Sequence, residues 1–207
     1  ITTDFSSLIP GLQADRFDMV AAEMAIIPTR CETVIYSEPN TSYGEGLLVP
    51  AGNPEGLSGY ADFADNSDMT VAIMAGANQL DMMQALGGSE DQLVTISSNA
   101  DAISTVSTGR ADAYAATGLT ASELAGQSDA VEVAEGFTDP VIDGTEQRSW
   151  GGFVFAEGNE ELRDAVNEVL AEYKQSDEWL ETVSGYGFTD ADTSRSFDMS
   201  TEELCTE

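Results

Sequence analysis

The chain has 207 residues, 42% of them hydrophobic, enough for one large or two small domains with packed cores. Asp and Glu number 38 against 7 Lys and Arg, a formal net charge of −31, which excludes nucleic acid and anionic membrane surfaces as partners because both need basic footprints. Histidine is absent, which removes the commonest general base, the Ser-His and Cys-His dyads and most zinc sites.

In chain order, Ile1–Asp4 reads as the tail of a strand. Leu8, Ile9 and Leu12 recur at helical spacing, giving a helix over about 5–14, followed by a strand over 17–22. Pro28 is expected to stop regular structure and leave Arg30 in a loop. Residues 33–37 and 46–50 read as strands, and 51–59 as a glycine- and proline-punctuated loop. A rhythm of short elements follows: helix 62–65, strand 70–73, turn Gly76-Ala77-Asn78, helix 79–86, strand 93–96, helix 99–107, strand 113–116, helix 122–125 and strand 131–133. This alternation predicts α/β units on mostly parallel sheets. A strand over 152–155 precedes a helix from the N-cap Asn159 to Tyr173. Its Leu162, Val166, Val169, Leu170 and Tyr173 fall on one face that should pack on a sheet. A helix over 177–184 and a polar tail close the chain.

The acidic balance has two readings. One is a calcium-rich site, but no DxDxDG-type loop is present. The other, favoured here, is adaptation to high salt, where screening relieves self-repulsion. Cys31 and Cys205 are either a disulfide in an oxidising compartment or two buried free thiols. No stretch is long and apolar enough to span a membrane, and no secretory leader is expected at Ile1.

Several residues carry candidate chemistry. In a cation-poor chain, Arg30 at a strand end is either an anion-gripping guanidinium or a surface ion pair. Glu23 interrupts the apolar strand end Ala21-Ala22-Glu23-Met24-Ala25, so it either faces water or meets a cation in a cleft. Gly76-Ala77-Asn78 between strand and helix is an anion-binding turn or simply a turn. Phe5 and Trp150 flank turns and are core residues or faces for a delocalised cation. Arg110 and Asp112 read as a solvated turn pair.

Six stretches in one order then resemble a known family: Phe5-Ser-Ser-Leu-Ile-Pro-Gly-Leu, Phe17-Asp-Met-Val with Ile27-Pro-Thr-Arg30, Tyr36-Ser-Glu-Pro, Gly109-Arg-Ala-Asp-Ala, Gly158-Asn-Glu-Glu-Leu-Arg-Asp-Ala and Gly185-Tyr-Gly-Phe. The chain resembles the periplasmic (type II) substrate-binding proteins of ABC importers, polar amino-acid branch. Leu8-Ile-Pro-Gly-Leu-Gln-Ala, Pro28-Thr-Arg-Cys31 and Glu203-Leu-Cys205 are similar to its ectoine/hydroxyectoine-binding members. The resemblance implies a two-lobed α/β fold with ligand held between the lobes: residues 1–46 and 141–207 in lobe one, residues 47–140 in lobe two. The family's opening strand and helix have no counterpart, so a strand–helix–strand unit of roughly fifty residues is expected to be missing from lobe one.

By the same resemblance, Arg30 grips the ligand carboxylate, Glu23, Met24 and Ala25 line the cleft, and Gly76, Ala77 and Asn78 close on the carboxylate. Phe5 forms an aromatic wall; Trp150, read above on its own as a face for a delocalised cation, is expected to join it on the ligand's cationic ring. Thr117 stands near the place where amino-acid binders carry an ammonium-holding aspartate, which argues against an ordinary α-amino acid. Ectoine-binding members carry an aromatic at the position of Ala25 and a glycine at that of Glu23, so Glu23 is expected to take over the ligand's cationic side. The cysteines match in both places, implying a Cys31–Cys205 disulfide. The implied protein is a monomeric, extracytoplasmic receptor with no cofactor and no metal. It hands a compatible solute such as ectoine to a membrane permease. A polar amino acid is the alternative ligand; a dehydratase using Glu23, or a sensor domain, is the alternative class.

Overall fold

The computed structural model describes residues 1–206 and divides into two compact units. Unit 1 comprises Ile1–Thr3, Ser7–Tyr43 and Ser149–Glu207; unit 2 comprises Asp4–Ser6 and Gly44–Arg148. The strands in chain order are β1 (Met19–Ala25), β2 (Val34–Tyr36), β3 (Thr41–Tyr43), β4 (Glu45–Pro50), β5 (Val71–Met74), β6 (Leu93–Ile96), β7 (Ala113–Thr117), β8 (Val131–Val133), β9 (Val141–Ile142), β10 (Thr145–Glu146) and β11 (Ser149–Ala156).

Unit 2 is a five-stranded sheet in the order β6-β5-β7-β4-β8. Its residues alternate between two apolar clusters, as the two-residue period of a strand demands. Leu47, Val49, Val71, Ile73, Ala113 and Ala115 face one side, where Phe63 of helix Ala61–Asp65 and Met82 and Met83 of helix Gln79–Ala85 cover them. Leu48, Ala72, Tyr114 and Ala116 face the other, under Ala102 and Val106 of helix Asn99–Ser107 and Ala121 and Leu124 of helix Gly118–Ala125. Burial on both faces is why these strands read as continuous apolar runs.

In unit 1, β11 is the spine: β1 and β2 flank it, and β3 pairs with its first three residues. All these pairings are antiparallel, and in unit 2 only β5–β6 and β5–β7 are parallel. Mostly parallel sheets were therefore the wrong expectation. Strands that return across a long antiparallel partner leave no mark in local composition that distinguishes them from crossover strands.

Four further expectations are corrected. Ile1–Asp4 is exposed and not a strand. Pro28 opens helix Pro28–Cys31 instead of ending structure, since its missing N–H is harmless in a first turn, so Arg30 is helical. Helix Glu160–Tyr173 has its expected bounds, but Asn159 makes no side-chain cap, and Leu162 and Val169 are 40% and 67% exposed; Leu170 is the residue it buries. Asp112 accepts hydrogen bonds from Thr70 N and Oγ1 (2.7 and 3.1 Å), a bridge to the start of β5 and not merely a solvated turn.

Cys31 and Cys205 form a disulfide, Cα–Cα 5.7 Å, which ties the terminal helix Thr201–Leu204 to helix Pro28–Cys31.

Candidate functional site

The C-terminal end of β1 gathers the charged chemistry of unit 1. Register runs Val20↔Val154 and then Met24↔Gly152, so β1 holds two more residues than β11 over that span. Such a bulge re-aims a side chain. Glu23 sits in it with φ +44°, a left-handed conformation unusual for glutamate.

Beyond the bulge, Gly151 of β11 pairs with Ala25 on one side and Thr41 of β3 on the other. With no side chain at 151, the Glu23 carboxylate lies across the glycine: a Cβ there would fall 2.2 Å from Oε2. Oε1 accepts from Asn40 Nδ2 at 2.7 Å and Oε2 from Thr41 Oγ1 at 2.9 Å. The backbone of the bulge is held too, because Tyr43 Oη donates to Glu23 O at 2.8 Å. Burial pushes the Glu23 carboxyl up; the bonds from Asn40 and Thr41, and the Lys174 charge, oppose that. Asn40 Oδ1 is buried without a hydrogen-bond partner.

Arg30 is 9% exposed, and its Nη1 donates to Ala25 O, the last carbonyl of β1, at 2.9 Å. Tyr36 Oη donates to the same oxygen at 3.1 Å. Burial pushes the Tyr36 hydroxyl up to about 12, with the Arg30 charge opposing. A carboxylate and a guanidinium thus stand at one end of one strand. Met24 and Ala25 between them are buried core, and Trp150 donates its indole N–H to Arg195 O at 3.1 Å.

In unit 2, Gly76 has φ +81°, which the turn after β5 requires. A Cβ there would approach Ser6 Cα (3.3 Å) and Phe5 Cδ1 (3.9 Å), so Phe5 lies beside the Gly76-Ala77-Asn78 turn. Thr117 caps helix Gly118–Ala125, its Oγ1 accepting from Thr120 N at 3.2 Å. Behind the turn, Gln79 Nε2 donates to Glu45 Oε2 at 2.6 Å. Tyr60 Oη lies 3.2 Å from that oxygen and from Gly46 O, and 3.1 Å from Ala116 O, so one hydroxyl proton serves three acceptors.

Asn40, Thr41, Glu45, Tyr60, Gln79 and Lys174 are polar residues of these clusters that motif reading missed. Glu45 carries the signal that flagged Glu23, a lone acid beside an apolar run. Lys174 is the only lysine and falls four residues after Leu170, on that helix's buried stripe. Asn40 and Thr41 have no such mark.

The chain thus has two α/β units with polar clusters at strand ends; among the described residues, no group of three or more His, Cys, Asp or Glu could hold a metal ion, and no helix is long and apolar enough to cross a membrane. Residues 1–189 match the bacterial extracellular solute-binding proteins, family 3, and the chain belongs to that family. A relative from Sinorhizobium fredii (strain NBRC 101917 / NGR234), described as the probable amino-acid ABC transporter periplasmic-binding protein y4tE, is 56% identical over 205 residues, covering 99% of this chain and 68% of the relative. The crystal structure of EhuB in complex with hydroxyectoine superposes with a TM-score of 0.86 at 29% identity, covering all of this chain and 77% of that one. The substrate-binding protein of an amino acid ABC transporter gives 0.75 at 25% identity, with 90% and 78% covered. The chain is an extracytoplasmic, non-enzymatic solute-binding protein.

Proposed function

We propose that the ligand is a polar amino acid or a similarly small zwitterion whose carboxylate meets Arg30 and whose cationic group meets Glu23. The observation that carries this is the pair of opposite charges at the end of β1: a carboxylate braced by Asn40 and Thr41, and a buried guanidinium anchored on Ala25 O. Two fixed charges of opposite sign suit a molecule that carries both. The relative at 56% identity, described as a probable amino-acid binder, supports this class. Met24, Ala25 and Trp150 in unit 1, and Phe5, Gly76, Ala77, Asn78 and Thr117 in unit 2, are proposed as further ligand contacts.

Ectoine or hydroxyectoine is the second reading, favoured by the match of the whole chain to the hydroxyectoine-bound EhuB structure. Its ring carries a carboxylate and a delocalised cation, so the same two charges would hold it. We expect delivery to a membrane permease and, in salt-adapted cells, a ligand drawn from the compatible solutes.

Calorimetry in high salt with arginine, glutamine, proline, glycine betaine, ectoine and hydroxyectoine tests the reading. Arg30→Ala should weaken the bound ligand at least tenfold, about 1.4 kcal/mol. Glu23→Gln should weaken ligands with a cationic group and spare any without one. Full affinity in both variants removes the charge pair from the site.

A further inference from the structure

Lys174 is buried, at 8% exposure, just past helix Glu160–Tyr173. Its Nζ donates to Pro39 O and to Ser196 O (3.4 Å) and stands 4.1 Å from the centroid of the Phe197 ring. An ammonium has three N–H groups, and two carbonyls and an aromatic face take all three directions. Pro39 O belongs to the peptide that leads into Asn40, and Asn40 and Thr41 are the two residues that hold the Glu23 carboxylate.

We propose that Lys174 is a positioning residue for Glu23: it pins the Pro39–Asn40 peptide that presents Asn40 to the carboxylate and adds an opposite charge that favours the ionised form of Glu23. This rests on the reading that Glu23 meets the ligand's cationic group, and on that reading Lys174 extends to lower pH the range over which cationic ligands are preferred. The acids around the ammonium are Glu38, from the β2–β3 connection, and Glu23, from β1; Asp198 and Glu203 line with it a pocket of about 310 Å³. Glu38 is held in turn by the helix, its N–H donating to Asn167 Oδ1 at 2.8 Å. Burial brings the Lys174 amine down to about 8, against the pull of Glu38 and Glu23. The coupling is mutual, so each partner reports the other's charge.

A single lysine makes the test direct, because protein labelled with ¹⁵N-lysine gives one side-chain signal to titrate. In Glu23→Gln the Lys174 midpoint should fall by about half a pH unit, because a charge that favours the ammonium has gone. An unchanged midpoint in a folded Glu23→Gln protein overturns the proposal. In Lys174→Met, binding of arginine and ectoine, measured from pH 5 to 8, should shift its profile to higher pH, and Lys174→Arg should restore it. Equal weakening at every pH in Lys174→Met would mark a purely structural lysine and overturn the proposal. A moved lysine midpoint with no change in either ligand profile upholds the charge coupling and refutes instead the role of Glu23 in binding.

Discussion

Removing the Cys31–Cys205 disulfide should destabilise unit 1 by an amount that the chain separation sets. The bond closes a sequence separation of 174 residues. Loop-closure entropy gives about 5 kcal/mol for a loop of that size. The loop includes Gly44–Arg148, and if that unit stays folded while unit 1 opens, the flexible length drops to roughly 70 residues and the figure to about 4 kcal/mol. The logarithm makes the estimate nearly independent of the unfolding route. Beyond the bond, Thr201 secures the terminal helix through its Oγ1 to Ser37 O (2.6 Å) and its N–H to Glu38 Oε2 (3.1 Å), with Leu204 buried beneath. Those contacts persist in a Cys31→Ser/Cys205→Ser protein, so segment 195–206 should fray before the rest melts. The midpoint should fall by about 10 °C for a chain of this length. Calorimetry of the two proteins in the same high-salt buffer measures this, and limited proteolysis locates the first cut. A midpoint within about 2 °C of the parent, with no early cut at the terminus, would refute the reasoning.

Four other outcomes follow from the same geometry. Gly151→Ala puts a methyl 2.2 Å from Glu23 Oε2, so the carboxylate must leave Asn40 and Thr41; we expect a loss of about 1–3 kcal/mol in denaturant titrations and weakened ligand binding. Tyr60→Phe strips the one shared proton from Glu45 Oε2, Gly46 O and Ala116 O and should cost about 1–3 kcal/mol, read by urea unfolding. Because Lys174 is lowered from 10.5 to about 8, the unfolded chain binds more protons between those values. Its contribution to stability is therefore present above 10.5 and is lost as pH falls through 8. Stability should accordingly rise by about 1–2 kcal/mol from pH 7 to 9.5, a rise that Lys174→Met removes; Tyr36, pushed up to about 12, works oppositely only above pH 10. Finally, with a net charge of −31, the melting midpoint should climb with potassium chloride well beyond the range where exposed pairs are screened, and a flat profile would count against salt adaptation.

What could be read from the sequence divides along a physical line. Helices Asn99–Ser107 and Glu160–Tyr173 and strand Leu93–Ile96 stand where their local periodicity places them, because caps and apolar spacing are short-range signals. Strand β3 was invisible: Thr41, Ser42 and Tyr43 have no apolar run, and they are buried because they lie on β11 at its first residues. The same long-range pairing makes Glu23 what it is. Read alone, an acid in an apolar strand end demands either water or a cation. The structure supplies a third resolution, an amide and a hydroxyl from residues 17 and 18 positions later, reaching it because residue 151 has no side chain. Glu23, Asn40 and Thr41 are close in sequence, but Gly151 lies beyond the whole of Gly44–Arg148, so no local window contains the four together. For Arg30 the sequence offered an exposed ion pair or an anion grip; the structure shows a buried guanidinium that donates to the backbone of the strand that carries Glu23, and the anion grip is the proposal made above. A charge so fixed loses little side-chain entropy on meeting a ligand. The anchor therefore strengthens the case for Arg30 as a binding group, provided that its affinity effect exceeds its stability effect when it is replaced. Denaturation and calorimetry on one Arg30→Lys protein decide between them: a lysine keeps the charge and loses the fork, so a preserved fold with weakened binding assigns the guanidinium to the ligand, and lost stability with unchanged binding assigns it to Ala25.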